Sequence, residues 1–336
     1  MTGSDAMGGP SERFVFFGGK GGVGKTTVSS AFAVGCAEAG LDTLLVSTDP
    51  AHSTADVFDQ PFGDDPRPVD GRERLWAMEI DPDAEIEAHV AQIRRSLSDQ
   101  MSPAIVNEID RQIELAHRTP GAHEAALFDR FIEVMRSSDE YDRVVFDTSP
   151  TGGTLRLLSL PELLESWIDR LVRKRTESID RYEKAAIGER QAPSVDDDPI
   201  ITRLRERKEN FEFAGRVLRD DAAFFFVLNP DDLSIRETER AIENLDEYDL
   251  SVRGLVVNRL TPAPDDDEDG RGARFLRARR ETERERLATI ESTFEAPVVA
   301  AIETRVEEIR GGHLDAVAEA LDIEPAPAAS PESNRE

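Results

Sequence analysis

The sequence predicts an α/β fold in which helices cover both faces of a doubly wound, mostly parallel sheet. Short and almost continuous apolar runs alternate with segments of helical periodicity, which is typical of parallel strands buried on both faces. A glycine-rich stretch also joins the first apolar run to the first helical segment, as expected for an α/β unit. The predicted strands cover residues 14–17, 44–47, 75–80, 143–146, 223–228, 255–257 and 298–302.

The glycine-rich stretch GGKGGVGKTT, residues 18–27, opens a predicted helix from about residue 25 to 39. From Gly19 onward it fits the spacing G-x-x-x-x-G-K-[ST], in which backbone amides cradle phosphates at a helix N-terminus. A flexible connector is the alternative interpretation. Lys25 would reach the β- and γ-phosphates, and Thr26 would offer its hydroxyl to Mg²⁺. The sequence therefore predicts a P-loop nucleotide hydrolase, with the nucleotide bound by Gly19, Gly21, Gly22, Val23, Gly24, Lys25, Thr26 and Thr27.

Two other predicted strands lead into an aspartate: Asp49 in STDPAHSTAD, residues 47–56, and Asp147 in DTSPTGGTLR, residues 147–156. Parallel sheets bind ligands at the carboxyl ends of their strands. We expect Asp49 to hold the attacking water in line with the γ-phosphate and Asp147 to hold Mg²⁺ or a water bound to it. A helix N-cap explains Asp49 alone equally well, and a turn residue is the alternative for Asp147. The glycines after Asp147 could change shape when the γ-phosphate leaves.

The chain of 336 residues carries 69 acidic and 41 basic residues, only five of them lysines, and a formal net charge of −28. This charge disfavours nucleic acids and anionic membranes as partners. It favours a protein of a salt-rich cytoplasm, where screening shortens the range of self-repulsion, over an ordinary acidic protein. No apolar run approaches the roughly 18 residues of a membrane span, and no leader is recognised. We expect a cytoplasmic protein without a membrane anchor, with its single cysteine, Cys36, in the core.

We expect residues 1–12 and 323–336 to be disordered, because their Gly, Ser, Pro, Ala and Glu show no periodicity. Residues 13–322 are predicted to form one domain with helical insertions at about 82–135 and 157–218. An apolar stripe in the second insertion could line a groove for an apolar client, although core packing explains such stripes more often. Its members are Leu160, Leu163, Leu164, Trp167, Ile168, Leu171 and Val172.

Over residues 13 to about 321, these motifs resemble those of the family that contains the arsenite-pump ATPase and the ATPase that targets tail-anchored membrane proteins. Further similar motifs are PGAHE at 120–124, ETER at 237–240, VVNR at 256–259 and EIRG at 308–311. The resemblance implies a Mg²⁺-dependent ATPase homodimer with a helical client-binding subdomain. It makes Asp49 the hydrolytic carboxylate, sends Lys20 to the partner subunit's phosphates and places Asn258 against adenine. A strand-end turn residue is the alternative for Asn258.

The sequence departs from the family pattern at three points, and the first two bear on function. ARFLRAR, residues 273–279, stands where zinc-bridged relatives have C-x-x-C-x-A-R, so we expect no zinc. One cysteine cannot build a thiolate site for arsenite or antimonite, which disfavours a pump-driving ATPase. Gly153 stands where targeting factors commonly have histidine. Besides a second copy of the chain, the predicted partner is an apolar membrane-protein segment or a membrane receptor. A nucleotide-switched scaffold is the alternative from another class, although the tail cannot form the amphipathic helix by which such relatives anchor.

Overall fold

The computed structural model describes residues 10–48, 53–81, 84, 122–147, 169–174, 176–177, 199–321 and 323. Across these ranges, eight strands form one sheet in the order β3-β4-β2-β5-β1-β6-β7-β8. All neighbouring strands are parallel except β3 and β4, so the predicted doubly wound, mostly parallel sheet is confirmed. The strands are β1 (Phe14–Gly18), β2 (Thr43–Ser47), β3 (Arg67–Pro68), β4 (Leu75–Glu79), β5 (Arg143–Asp147), β6 (Ala222–Leu228), β7 (Val252–Leu260) and β8 (Val298–Glu303).

The short antiparallel strand β3 was not predicted, because two exposed residues that include a proline carry no periodic pattern. The helix after the glycine-rich stretch ends within one residue of its predicted bound. The helices are α1 (Lys25–Glu38), α2 (Ser53–Phe58), α3 (Ala122–Ser137), α4 (Pro199–Asp220), α5 (Asp232–Asp246), α6 (Arg271–Thr293) and α7 (Asp315–Ala318), with a 3₁₀ turn at Gly311–Leu314.

Strand β1 lies in the middle of the sheet, and its side chains alternate between two separate cores. Phe16 stacks between Phe146 and Phe224, with ring centroids 4.6 and 5.1 Å away, in the core that also contains buried side chains of α3, α4 and α5. Phe17 belongs to the opposite core, which contains α1 and α7. Because β1 is buried on both faces, the loop that follows it starts from a fixed strand.

The described residues of the second predicted insertion contact one another, α3 and the first core. Phe211 of α4 stacks on Phe128 of α3, with ring centroids 5.5 Å apart, and Lys208 Nζ lies 2.9 Å from Asp169 Oδ1. Val172 of the apolar stripe packs against the first core. The stripe residues from 160 to 168 lie outside the described residues, so the client groove stays a prediction.

Both ends of the domain extend slightly beyond the predicted bounds. Glu12 is buried and forms an ion pair with Arg253, and Ile323 is 6% exposed and packs in the core of α1. Composition suggested disorder at both positions, but a charge partner and an apolar contact fix them. Cys36 is fully buried, as expected. No helix within the described ranges is long and apolar enough to cross a membrane.

Candidate active site

The loop between β1 and α1 needs glycine because of its conformation and its close neighbours. Gly19 and Gly24 have φ angles of +143° and +95°, which side chains rarely adopt. A Cβ on Gly19 would lie 2.2 Å from the Val227 carbonyl oxygen, and one on Gly24 would lie 2.4 Å from Asn258 Nδ2. Gly24 is also the N-cap of α1 and provides no side-chain cap. The first-turn amides of α1, which are the groups that bind anions at a helix N-terminus, thus receive no side-chain cap from Gly24.

Two lysines of the loop lie in different surroundings. Lys25 is only 8% exposed, and its Nζ donates a hydrogen bond of 3.3 Å to the Lys20 carbonyl oxygen. Lys20 Nζ lies 3.9 Å from Glu237 Oε2 in the ETER motif, and both side chains are about one third exposed. Gly21 and Gly22 at the tip of the loop are exposed. Lys25 is thus held inside the loop, whereas Lys20 lies at its outer edge.

Thr26 and Asp147 come together at the carboxyl edge of the sheet. Thr26 Oγ1 donates a hydrogen bond of 2.6 Å to Asp147 Oδ2, and Asp147 is 1% exposed. The register of β1 and β5 sets Asp147 opposite Phe17, one residue before the glycine loop. The predicted metal-binding residues therefore lie together, and their hydroxyl and carboxylate oxygens are ligands that suit Mg²⁺.

Sequence reasoning missed two residues near this pair. Ser53, the first residue of α2, lies with its Oγ 3.0 Å from Thr26 Oγ1. Glu79 is buried at the end of β4, and its Oε1 accepts a hydrogen bond of 3.0 Å from the Ala55 backbone amide. Glu79 thereby ties α2 to the sheet and keeps Ser53 beside Thr26. A possible signal for Ser53 was its position at the end of the STDPAHS stretch, whereas Glu79 had none.

Asn258, at the carboxyl edge of β7, contacts the loop directly. Its Nδ2 donates a hydrogen bond of 2.8 Å to the Val23 carbonyl oxygen, and its Oδ1 accepts one of 2.8 Å from the Arg259 amide. Asn258 is 9% exposed. Both ends of its amide are therefore engaged by the chain itself, whereas the resemblance implies that Asn258 contacts adenine.

A buried carboxylate, Glu283, lies at the carboxyl end of β7, near Asn258. Glu283 of α6 accepts hydrogen bonds from the Thr261 amide, the Thr261 hydroxyl and Arg279 Nε at 2.7–3.0 Å. Burial acts to raise the pKa of Glu283, but the hydrogen bonds from Thr261 and Arg279 outweigh it and hold that pKa below its ordinary value. Glu283 therefore stays charged near neutral pH and fixes α6 to the end of β7.

Thr27, also predicted to bind the nucleotide, lies in the first turn of α1 and is partly exposed. Two further predicted residues lie outside the described residues. These are Asp49, in the undescribed range 49–52, and Gly153, in the range 148–168. Among the described residues of the two motifs, Ser53 and Asp147 contact Thr26 at the end of the loop, and Ser47 and Thr48 lie beside Asp147. The role of Asp49 stays a prediction.

A glycine loop between a central parallel strand and a helix, with a hydroxyl and a carboxylate paired at its end, defines a P-loop nucleotide hydrolase. The family model described as anion-transporting ATPase (ArsA_ATPase) matches residues 12–322. The chain belongs to this family of ATPases, as the resemblance predicted.

The relatives described next match about nine tenths of this chain. The putative arsenical pump-driving ATPase 2 of Aquifex aeolicus is 35% identical over 300 residues, which are 89% of this chain and 95% of that protein. ATPase get3 of Aspergillus terreus is 34% identical over 302 residues, which are 89% and 87% of the two chains. The putative arsenical pump-driving ATPase of Halobacterium salinarum is 36% identical over 303 residues, which are 90% of this chain but 42% of that protein.

Proposed function

We propose that this ATPase is Mg²⁺-dependent, works as a homodimer in the cytoplasm, and uses its hydrolysis cycle to capture and release an apolar segment of a membrane protein. The observation that carries the proposal is the contact of Thr26 with Asp147 at the end of the phosphate loop. The similarity to ATPases named get3 and ASNA1 homolog supports the client.

Different residues of the chain bind the phosphates, hold the metal and align the attacking water. The glycine loop and the first-turn amides of α1 bind the phosphates, and Lys25 neutralises the terminal ones. Thr26 and Asp147 would hold Mg²⁺, which when bound offsets the negative charge on the phosphate oxygens. Asp49 aligns the water that attacks the γ-phosphorus, and the bond from that phosphorus to the β-phosphate's bridging oxygen breaks.

The contact of Lys20 supports a site shared between two subunits. Its ion pair with Glu237 is long, at 3.9 Å, and partly exposed. Such pairs contribute about 0–1 kcal/mol, so Lys20 can leave Glu237 at little cost. In the homodimer, Lys20 reaches across to the phosphates that the partner subunit binds, so the two subunits close only when a triphosphate is present.

An Asp49→Asn variant tests the cycle. It should bind Mg-ATP and form the dimer but release no phosphate, which can be measured by calorimetry, light scattering and a phosphate assay. The client is tested with a labelled peptide of about 20 apolar residues, and a matched peptide with central charges is the control. Tighter binding of the apolar peptide by the ATP-bound variant than by the nucleotide-free one supports the proposal. Equal binding in both states, or equal binding of both peptides, contradicts it.

A pump-driving ATPase is the second candidate, because two relatives carry that name. It requires arsenite or antimonite to activate hydrolysis, and soft metalloids need several thiolates. The chain has only Cys36, which is fully buried. We therefore expect the same hydrolysis rate with and without either metalloid, and a clear stimulation would favour the pump.

A further inference from the structure

We infer that Asn258 is a positioning residue that holds the phosphate loop in its binding conformation, in addition to any contact with the base. The inference rests on the proposed binding of ATP at this loop. The side-chain amide of Asn258, near the end of β7, can hold the loop through a hydrogen bond, which glycines cannot do because they have no side chain.

The contact holds the loop next to the start of α1. Val23, whose carbonyl oxygen accepts the 2.8 Å hydrogen bond from Asn258 Nδ2, is 1% exposed. It directly precedes Gly24, the N-cap of α1, and Lys25. A displaced Val23 carbonyl would therefore shift the turn that leads into the amides at the start of α1.

Asn258 is itself held firmly. Its Oδ1 accepts the Arg259 amide, and Arg259 adopts a left-handed φ of +62°, which is uncommon for a residue other than glycine. Val256 and Val257, which precede Asn258 in β7, are fully buried. The amide thus extends from a buried strand to the glycine-rich loop.

We call the hydrogen bond between Asn258 Nδ2 and the Val23 carbonyl oxygen the brace. The brace lowers the entropic cost of binding phosphate. Glycines populate many backbone conformations, so a glycine-rich loop loses much freedom when it closes around an anion. Fixing that loop before the ligand arrives increases affinity without any new contact to the ligand. The gain applies to every ligand that uses the loop, whether or not it carries a base.

If Asn258 served only to recognise the base, its amide would need different hydrogen-bond partners. Bidentate recognition of adenine by asparagine uses both the amide oxygen and the amide nitrogen. In Asn258 both atoms already have partners within the chain. A base contact would therefore have to share or break the brace, and removal of the side chain separates the two roles.

The experiment compares Mg-ATP with Mg-tripolyphosphate, which lacks both ribose and base, by calorimetry on the full chain. The variants are Asn258→Ala and Asn258→Leu, which keeps a side chain of similar length without the donor or a charge and is the second choice if alanine prevents folding. The control is Asn244→Ala, because Asn244 Nδ2 also donates to a backbone carbonyl, that of Arg240, at 2.7 Å, but on α5. Thermal melting checks that each variant is folded.

We expect each Asn258 variant to weaken both ligands by a similar factor of about ten or more, while Asn244→Ala changes neither. A loss of ATP affinity with tripolyphosphate affinity unchanged would assign Asn258 to the base and overturn the inference. Unchanged affinity for both ligands, or an equal loss in Asn244→Ala, would also overturn it. If the wild-type protein bound neither ligand, the proposed function itself would be wrong.

Discussion

Thr26 and Asp147, separated by 121 positions in the chain, are joined by a hydrogen bond of 2.6 Å between Oγ1 and Oδ2. The contact exists because β5 lies next to β1, so the end of β5 meets the start of α1. It brings the hydroxyl and the carboxylate of the predicted metal site within reach of one cation.

We predict that Asp147→Asn raises the Mg²⁺ concentration needed for half-maximal hydrolysis by about 10- to 100-fold. A loss of this size is expected when a group that orients or binds a metal is removed. Asparagine keeps the shape of the side chain but removes the charge that attracts the cation. Phosphate release measured over a magnesium titration should show the shift.

Asp246→Asn is the control for this change, because Asp246 is an exposed aspartate at the last position of α5. It should titrate like the wild type. A magnesium titration of Asp147→Asn that overlays the wild-type curve would remove Asp147 from the metal site.

Replacing Gly24 by alanine should abolish tight nucleotide binding. Its φ of +95° costs alanine about 1–2 kcal/mol, and the new Cβ would lie 2.4 Å from Asn258 Nδ2. Gly40 has a similar φ of +92° but no atom within 4 Å of a new Cβ. Gly40→Ala should therefore lower the melting temperature and leave ATP affinity intact. Equal ATP affinities in the two variants would show that the space beside Gly24 is irrelevant.

Glu79→Ala should lower kcat by about tenfold, because α2 loses the acceptor of its Ala55 amide and Ser53 is no longer held beside Thr26. The affinity for ATP should change little, since the phosphate loop is untouched. Glu79→Gln keeps an acceptor oxygen and should recover most of the rate. Steady-state kinetics would contradict this assignment if glutamine were as slow as alanine, or if ATP affinity fell with kcat.

The thiol of Cys36 should be inert in the folded protein. Burial raises the pKa of the Cys36 thiol to about 12, although the positive charge of Arg143 acts in the opposite direction. Thiolate is the reactive form, so a thiol reagent at pH 8 should label Cys36 only after denaturant is added. Rapid labelling of the native protein would show that α1 opens locally.

The same shift has a consequence for stability at high pH. Above about pH 9, the unfolded chain releases this proton whereas the folded chain keeps it until about pH 12. The free energy of unfolding should therefore fall by up to about 1.4 kcal/mol per pH unit from this group. Cys36→Ala, which has no such proton, should show a shallower decline between these values.

The order of apolar runs and glycines was enough to predict the sheet, α1 and the phosphate loop, because each depends on residues close in the chain. The pairing of Thr26 with Asp147 followed from a general property of parallel sheets, whose carboxyl ends share one edge. Local pattern and general topology therefore account for most of the architecture and for the centre of the site.

The brace by Asn258 could not be predicted, because it joins residues 235 positions apart through a side-chain amide. The anchoring of α2 by Glu79 likewise depends on the register of β2 and β4. At the termini, Glu12 and Ile323 are ordered by distant partners that composition does not reveal. Contacts of this kind require the folded arrangement to be known.

Phosphate release by the purified protein with Mg-ATP in molar potassium chloride tests the central claim most directly, because salt at this level screens the charge of −28. We predict steady hydrolysis that requires magnesium, disappears in Asp49→Asn and is accompanied by ATP binding in both proteins. Hydrolysis that persists unchanged in Asp49→Asn would contradict the assigned mechanism, and failure of the wild type to bind ATP would contradict the account as a whole.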